Sequence, residues 1–239
     1  MKTLKILVTI AILTVITSSC VFDGIKGNRN VTVEERDINA DFDALKASQG
    51  LKVYLTLDEG FSVKVEADEN LQDIIITEVE DGVLHLYTKK NIWTAKARKV
   101  YVSMPEISKI ATTSGAEVHS KGLIQADDLR LDATSGSDID LQLQVNNLTC
   151  ETSSGADIRL SGKAVDLKAS SSSGSDIKAG DLIAETCEAS VSSGADIYVN
   201  VTGNLIASAS SGGNIKYAGH PHSTEQNSNS SGSIRKIGD

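Results

Sequence analysis

Apolar and polar positions alternate strictly through the second half of this chain. Leu129, Leu131 and Ala133 are separated by Arg130 and Asp132, and Leu148, Cys150 and Thr152 by Thr149 and Glu151. Leu167, Ala169 and Ser171 then Cys187, Ala189 and Val191 repeat the pattern, as do Leu205, Ala207 and Ala209. A period of two predicts strands with one buried face. The buried side chains shrink along each run, as they would if the chain narrows to a corner. After a short break the alternation resumes with Ile139 and Leu141, Ile158 and Leu160, Ile177 and Ala179, Ile197 and Val199, and Ile215 and Tyr217.

The break is the same each time. It reads Ser114-Gly115-Ala116-Glu117-Val118, Ser135-Gly136-Ser137-Asp138-Ile139 and Ser154-Gly155-Ala156-Asp157-Ile158. It recurs as Ser173-Gly174-Ser175-Asp176-Ile177, Ser193-Gly194-Ala195-Asp196-Ile197, Ser211-Gly212-Gly213-Asn214-Ile215 and Ser231-Gly232-Ser233-Ile234. Glycine to glycine, the steps are 21, 19, 19, 20, 18 and 20 residues. A fixed period near 20 predicts a solenoid, whose coils bury their apolar sides only by stacking. Seven coils about 4.8 Å apart make a rod on the order of 30 Å long. Ser, Gly, Asp, Val and Ile disfavour helix, and nothing recurs at 3.6 spacing. Collagen would need glycine at every third position, and the chain has only 19 glycines and two prolines. The fold class is therefore all-β, a β-solenoid of the parallel β-helix type.

Upstream, the alternation is less regular. It runs through Val31 and Val33; Leu51, Val53 and Leu55; Phe61, Val63 and Val65; and Leu84 and Leu86. Turn signals lie at Asp58-Glu59-Gly60 and Asp81-Gly82. Ser48-Gln49-Gly50-Leu51-Lys52-Val53 reads as a degenerate copy of the corner motif. This half also holds Trp93 and most of the other aromatics. The expected division is a leader over 1–19, a tether over 20–30, a β region that caps the solenoid over 31–104, and the repeats over 105–239. A cap would protect the open edge of the stack, and the charged final strand Ser233-Ile234-Arg235-Lys236-Ile237 would do so at the other end.

The first residues carry a targeting signal. Lys2 and Lys5 precede an apolar stretch, Ile6 to Ile16, too short to span a bilayer. Thr17-Ser18-Ser19-Cys20 follows. Small residues directly before a cysteine resemble the lipobox of bacterial lipoproteins, in which the cysteine becomes an acylated N-terminus. The alternative is an ordinary signal peptide with an incidental cysteine. The first reading makes Cys20 the lipidation site, and the membrane a partner through that anchor, with the outer membrane as the expected address. The formal charge of −9 becomes more negative still once Lys2 and Lys5 leave with the leader. So acidic a surface argues against nucleic acid as a partner.

With these residues in view, the chain resembles the head GIN domain family, a group named as putative auto-transporter adhesins and common as lipoproteins in Bacteroidetes. The resemblance rests on Asn30-Val31, Glu35-Arg36-Asp37 with Phe42-Asp43-Ala44-Leu45, and the run from Val63 to Leu71. Val102-Ser103-Met104-Pro105, the repeated Ser-Gly-Ala/Ser-Asp-Ile and Tyr217-Ala218-Gly219-His220-Pro221 complete it. It implies a β-helical fold and an envelope location. Ser48-Gln49-Gly50 departs from the glycine pair usual there, which touches only a turn.

One row of residues has possible chemistry. Stacked coils would align Glu117, Asp138, Asp157, Asp176 and Asp196, with Asn214 at the end. Carboxylates about 4.8 Å apart in water repel by roughly 0.9 kcal/mol per pair, so something must offset the row. Asp and Asn side chains accept backbone N–H bonds at turns, which would stabilise corner and charge together. The sharper alternative is a row of cation sites over Asp138, Asp157, Asp176 and Asp196, since hard cations take carboxylate oxygens. The row lacks the additional acids of calcium repeats, so no metal and no cofactor is expected. Cys150 and Cys187 face inward two coils apart, about 9.6 Å, too far for a disulfide, and read as small apolar residues. His220 and His222 flank Pro221 and make at most a weak metal pair.

Three functions remain. The first is a non-enzymatic envelope protein whose solenoid flank binds a glycan or protein ligand or adheres to a surface. The second is a structural or assembly factor of the envelope. The third is a polysaccharide-active β-helix enzyme, which would need paired carboxylates in an aromatic-lined cleft. The uniform acid row argues against that one, because an active site breaks symmetry.

Overall fold

The computed structural model describes residues 24–38, 40–229 and 231–238. Five long strands, Glu117–Thr134, Asp138–Ser153, Asp157–Ser171, Asp176–Val191 and Asp196–Ala209, each run from one Ser-Gly corner almost to the next. Each pairs in parallel with the strand one coil on, so that Ile139, Ile158, Ile177, Ile197 and Ile215 stand in one column. Leu129, Leu148, Leu167, Cys187 and Leu205 form a second column inside the coil. Both columns are buried. Burial of an isoleucine or leucine side chain stabilises by about 1.5–3 kcal/mol, and these columns supply one or two such residues per coil.

The corners explain the repeated dipeptide. Ser154 and Gly155 take φ of 56° and 71°, both left-handed, and the Ser-Gly corners from Ser114-Gly115 to Ser211-Gly212 repeat this. A left-handed residue with a side chain costs roughly 1–2 kcal/mol. Stacking offsets part of that cost: Gly115 N–H donates to the Ser135 carbonyl of the next coil at 3.2 Å, and Gly136 N–H to Ser154 at 3.1 Å. Inside the corners Ala116, Ser137, Ala156, Ser175 and Ala195 are fully buried. Their hydroxyls are satisfied locally. Ser137 Oγ lies 2.9 Å from Thr112 Oγ1, and Ser175 Oγ donates to Thr152 Oγ1 at 3.0 Å.

Parallel pairing does not stop at residue 105. Leu45 lies opposite Ile110, and Val53 opposite Val118. One coil lower, Leu84 lies opposite Leu45 and Val100 opposite Val53. Gln49 and Gly50 have φ of 58° and 68°, so the degenerate motif is a true corner of the stack. Chain order and stacking order differ here: residues 83–104 lie below residues 44–57. Antiparallel strands follow at this end. Ser62–Asp68 pairs with Arg98–Met104, Val31–Arg36 pairs with Ser62–Asp68, and Ile75–Glu80 pairs with Val83–Thr88. The outermost of them carries Glu34, Glu35 and Arg36, and charge of this kind blunts an exposed edge. At the other end, Ser223–Ser228 and Ser233–Lys236 add the last parallel strands.

Candidate functional site

The outer surface next to the corners is a set of registered columns. The first runs Lys52, Glu117, Asp138, Asp157, Asp176, Asp196 and Asn214. The acid row expected from the repeats therefore exists as a ladder. Its partners are not the corner amides. Arg159 Nη2 lies 2.7 Å from Asp157 and Arg159 Nη1 3.3 Å from Asp138. Lys178 Nζ lies 2.9 Å from Asp157 and 3.1 Å from Asp176. Glu117 accepts from Lys52 at 2.8 Å, and Asp196 from Asn214 Nδ2 at 2.7 Å. Corner hydrogen bonds come instead from backbone and from buried hydroxyls, such as Ser137 Oγ donating to the Thr134 carbonyl at 2.8 Å. A side chain that starts a strand and points outward cannot turn back into the corner. It can reach the next column, where Arg159 and Lys178 stand opposite one another.

Among the described residues, no group of three or more His, Cys, Asp or Glu is placed to hold a metal ion. Arg159 and Lys178 occupy the positions beside the carboxylates that a cation would need. His222 is exposed, with its N–H donating to the Gly203 carbonyl at 2.6 Å, and belongs to a groove described below. Cys150 and Cys187 are free and buried. Burial pushes the Cys150 thiol far up, and that of Cys187 to about 12. Cys20 lies outside the described residues.

The second outer column holds a feature that the sequence did not disclose. Tyr101, Tyr54 and His119 stack on successive coils, with ring centroids 5.3 and 5.8 Å apart. Lys121 Nζ sits 4.7 Å from the Tyr101 ring centre and 5.0 Å from that of Tyr54. Glu66 accepts from Lys99 and from Tyr101 Oη, both at 2.8 Å, and the Lys99 bond above all holds its carboxyl below the usual range. The ring faces are thus largely occupied by one another and by Lys121. This column locks coils together and offers little open aromatic face to a ligand.

A hollow of about 280 Å3 lies on the outer columns beside Asp176, Asp196, Tyr198 and Asn214, and two larger ones lie midway along the long strands, at the second bend of the coils. One hollow of about 670 Å3 is lined by Asp43, Glu106, Ser108, Gln125, Asp127, Asp128, Gln144, Val145 and Asn146, among others. A second, of about 630 Å3, shares Gln144, Val145 and Asn146 and continues past Lys163, Val165, Ile183 and Thr202 to His222. Together they make a groove that crosses consecutive coils. Its first end is acidic, and Lys163, Glu185 and His222 lie at the second. Amides are held in ladders beside it: Asn146 Nδ2 donates to Asp127 at 2.9 Å and Asn147 Nδ2 to Asp128 at 2.8 Å.

The model of the family described as "Putative auto-transporter adhesin, head GIN domain" matches residues 41–221, which covers the stack from its lowest coils to beyond its last long strand. The chain belongs to the head GIN domain family. Its fold is similar to that of a putative adhesin from Bacteroides fragilis, at TM-score 0.82 and 24% identity, over 90% of this chain and 100% of that one. A putative adhesin from Parabacteroides merdae is similar at TM-score 0.73 and 19% identity, with the same coverage of both chains. So is a protein from Parabacteroides distasonis called a putative lipid binding protein, at TM-score 0.72 and 21% identity, also over 90% and 100%. No curated protein matches the chain. At these identities the likeness establishes the head GIN fold and no ligand.

Proposed function

We propose that this head GIN protein is a non-enzymatic envelope lipoprotein, anchored through Cys20 in the outer membrane, that binds an extended ligand along the groove at the second bend. The observation that carries this reading is the sharing of Gln144, Val145 and Asn146 by the two hollows. A groove that continues across stacked coils suits a linear ligand, a glycan or an extended peptide, because each coil repeats similar contacts every 4.8 Å or so. Its amides and carboxylates supply the directional contacts that fix such a ligand, and the exposed Val165 and Ile183 supply apolar surface. The adhesin name of the family supports the same direction. The outer columns are occupied by ion pairs that close on themselves, which suits a scaffold.

A glycan array and a pull-down with residues 20–239 would identify the ligand. Asn146→Ala with Lys163→Ala should lower its affinity at least tenfold while leaving the melting temperature within a few degrees. Unchanged binding by that variant, or turnover of the bound glycan, would overturn the reading. Mass spectrometry of the membrane fraction should find acylated Cys20, and a protein starting elsewhere would remove the anchor.

A further inference from the structure

In the lowest coil the chain makes no Ser-Gly corner. It leaves the stack at Thr88 and returns at Arg98, and the excursion pairs with Gly24–Lys26 in a small parallel sheet separate from the main one. Lys89-Lys90-Asn91-Ile92-Trp93-Thr94-Ala95-Lys96-Ala97-Arg98-Lys99 holds five basic residues and no acid, in a chain whose formal charge is −9. Ile92 is buried, whereas Trp93, the chain's single tryptophan, is 46% exposed. Lys26 Nζ lies 5.9 Å from the Trp93 ring centre. Lys89, Lys90 and Lys96 are exposed, and among the described residues no ion pair engages them. The arrangement is held firmly. Buried Asp68 accepts from Arg29 N–H at 2.9 Å and from Lys96 and Ala97 N–H, each at 3.0 Å. A side chain at Gly24 would overlap the Trp93 indole.

We propose that this basic, tryptophan-tipped excursion is a contact surface for a bilayer containing anionic phospholipid, and that it seats the capped end of the stack on the membrane. The inference rests on the reading of Cys20 as the lipid anchor. Gly24 lies four residues past Cys20, a span of at most about 14 Å. An acyl group on Cys20 therefore brings Trp93 and its lysines to the headgroup layer. Tryptophan is favoured at that depth, and lysines are drawn to an anionic leaflet. The tether makes the second contact intramolecular, so a few lysines suffice. The acid row from Asp138 to Asp196 and the second hollow belong to coils farther along the stack. Seating at this end leaves them facing away from a surface of like charge.

Residues 20–239 contain every described element and provide the test. Cys20 can be coupled to a maleimide lipid in vesicles, and selectively so, because Cys150 and Cys187 are buried. With a 3:1 mixture of phosphatidylcholine and phosphatidylglycerol, Trp93 emission should shift to the blue and be quenched by brominated acyl chains. Pure phosphatidylcholine should produce neither effect, and 0.5 M NaCl should reverse both. Lys89→Glu, Lys90→Glu and Lys96→Glu together should abolish the shift with coupling yield and melting temperature unchanged. Trp93 emission equal to that of the uncoupled protein, or a triple variant that responds normally, would overturn the proposal. So would an equal response on the neutral lipid. Because the coupling is chemical, these outcomes are independent of acylation in the cell, which the mass spectrum of Cys20 decides separately.

Discussion

The Lys178 ammonium lies 2.9 Å from the Asp157 carboxylate of the preceding coil. It also lies 3.1 Å from Asp176 of its own coil. One cation thus bridges two carboxylates that the parallel register places opposite each other. Arg159 does the same one coil earlier, between Asp157 and Asp138. Two cations, each two residues along its own strand from an acid of the ladder, thus hold the carboxylates from Asp138 to Asp176.

The bridges should give Asp157→Asn a modest, salt-dependent effect. Partly exposed ion pairs contribute about 0–1 kcal/mol each. The melting temperature should drop by about 2–4 °C at low ionic strength, and by less in 0.5 M NaCl. Chelator and millimolar calcium should both leave the wild-type melt unchanged. A calcium-dependent rise of several degrees, absent in Asp157→Asn, would instead establish cation sites along the row.

The inward column should not tolerate charge. Ile158 is fully buried between Ile139 and Ile177. Ile158→Asp would leave an unpaired carboxylate there, at a cost of roughly 3–5 kcal/mol. Thermal melts should show a loss of about 10 °C or more. Wild-type stability in this variant would mean that the register is wrong.

Acid should weaken the lower coils first. The Lys99 bond, aided by Tyr101, holds the Glu66 carboxyl below its ordinary value, and the Lys52 bond does so for Glu117. A carboxyl depressed in the folded state binds fewer protons than in the unfolded chain. Its contribution is complete above the ordinary value of 4.5 and is lost as pH falls below that towards the folded value. Melting temperatures between pH 6 and pH 3 should therefore fall, and the fall should be shallower by about one or two degrees in Glu66→Gln. An identical pH profile for that variant would contradict the assignment.

Much of the stack was legible from local pattern. Alternation about Ser154-Gly155 shows which side chains point inward, because strand periodicity is a property of the backbone. The left-handed corner is legible for a similar reason, since glycine tolerates that conformation. Even Gln49-Gly50 was recognisable as a corner. The lowest coil was not: its strands, 83–88 and 98–104, are joined by an excursion with no motif, and residues 44–57 stack above it although they precede it.

The row from Asp138 to Asp196 shows where local reading ends. The 20-residue period alone aligns these carboxylates on one column. What neutralises them depends on Arg159 and Lys178, which are ordinary surface cations until parallel pairing sets each beside the acids of two coils. Likewise Tyr54, Tyr101 and His119 are far apart in the chain and become one stack only through the out-of-order coils. Face and corner conformation within a coil follow from near neighbours in the chain, and so does the order in which the repeats stack. Only the folded molecule reveals the out-of-order coils, the ion-pair bridges, the aromatic stack, the groove and the exposed Trp93, because these contacts join residues far apart in the chain.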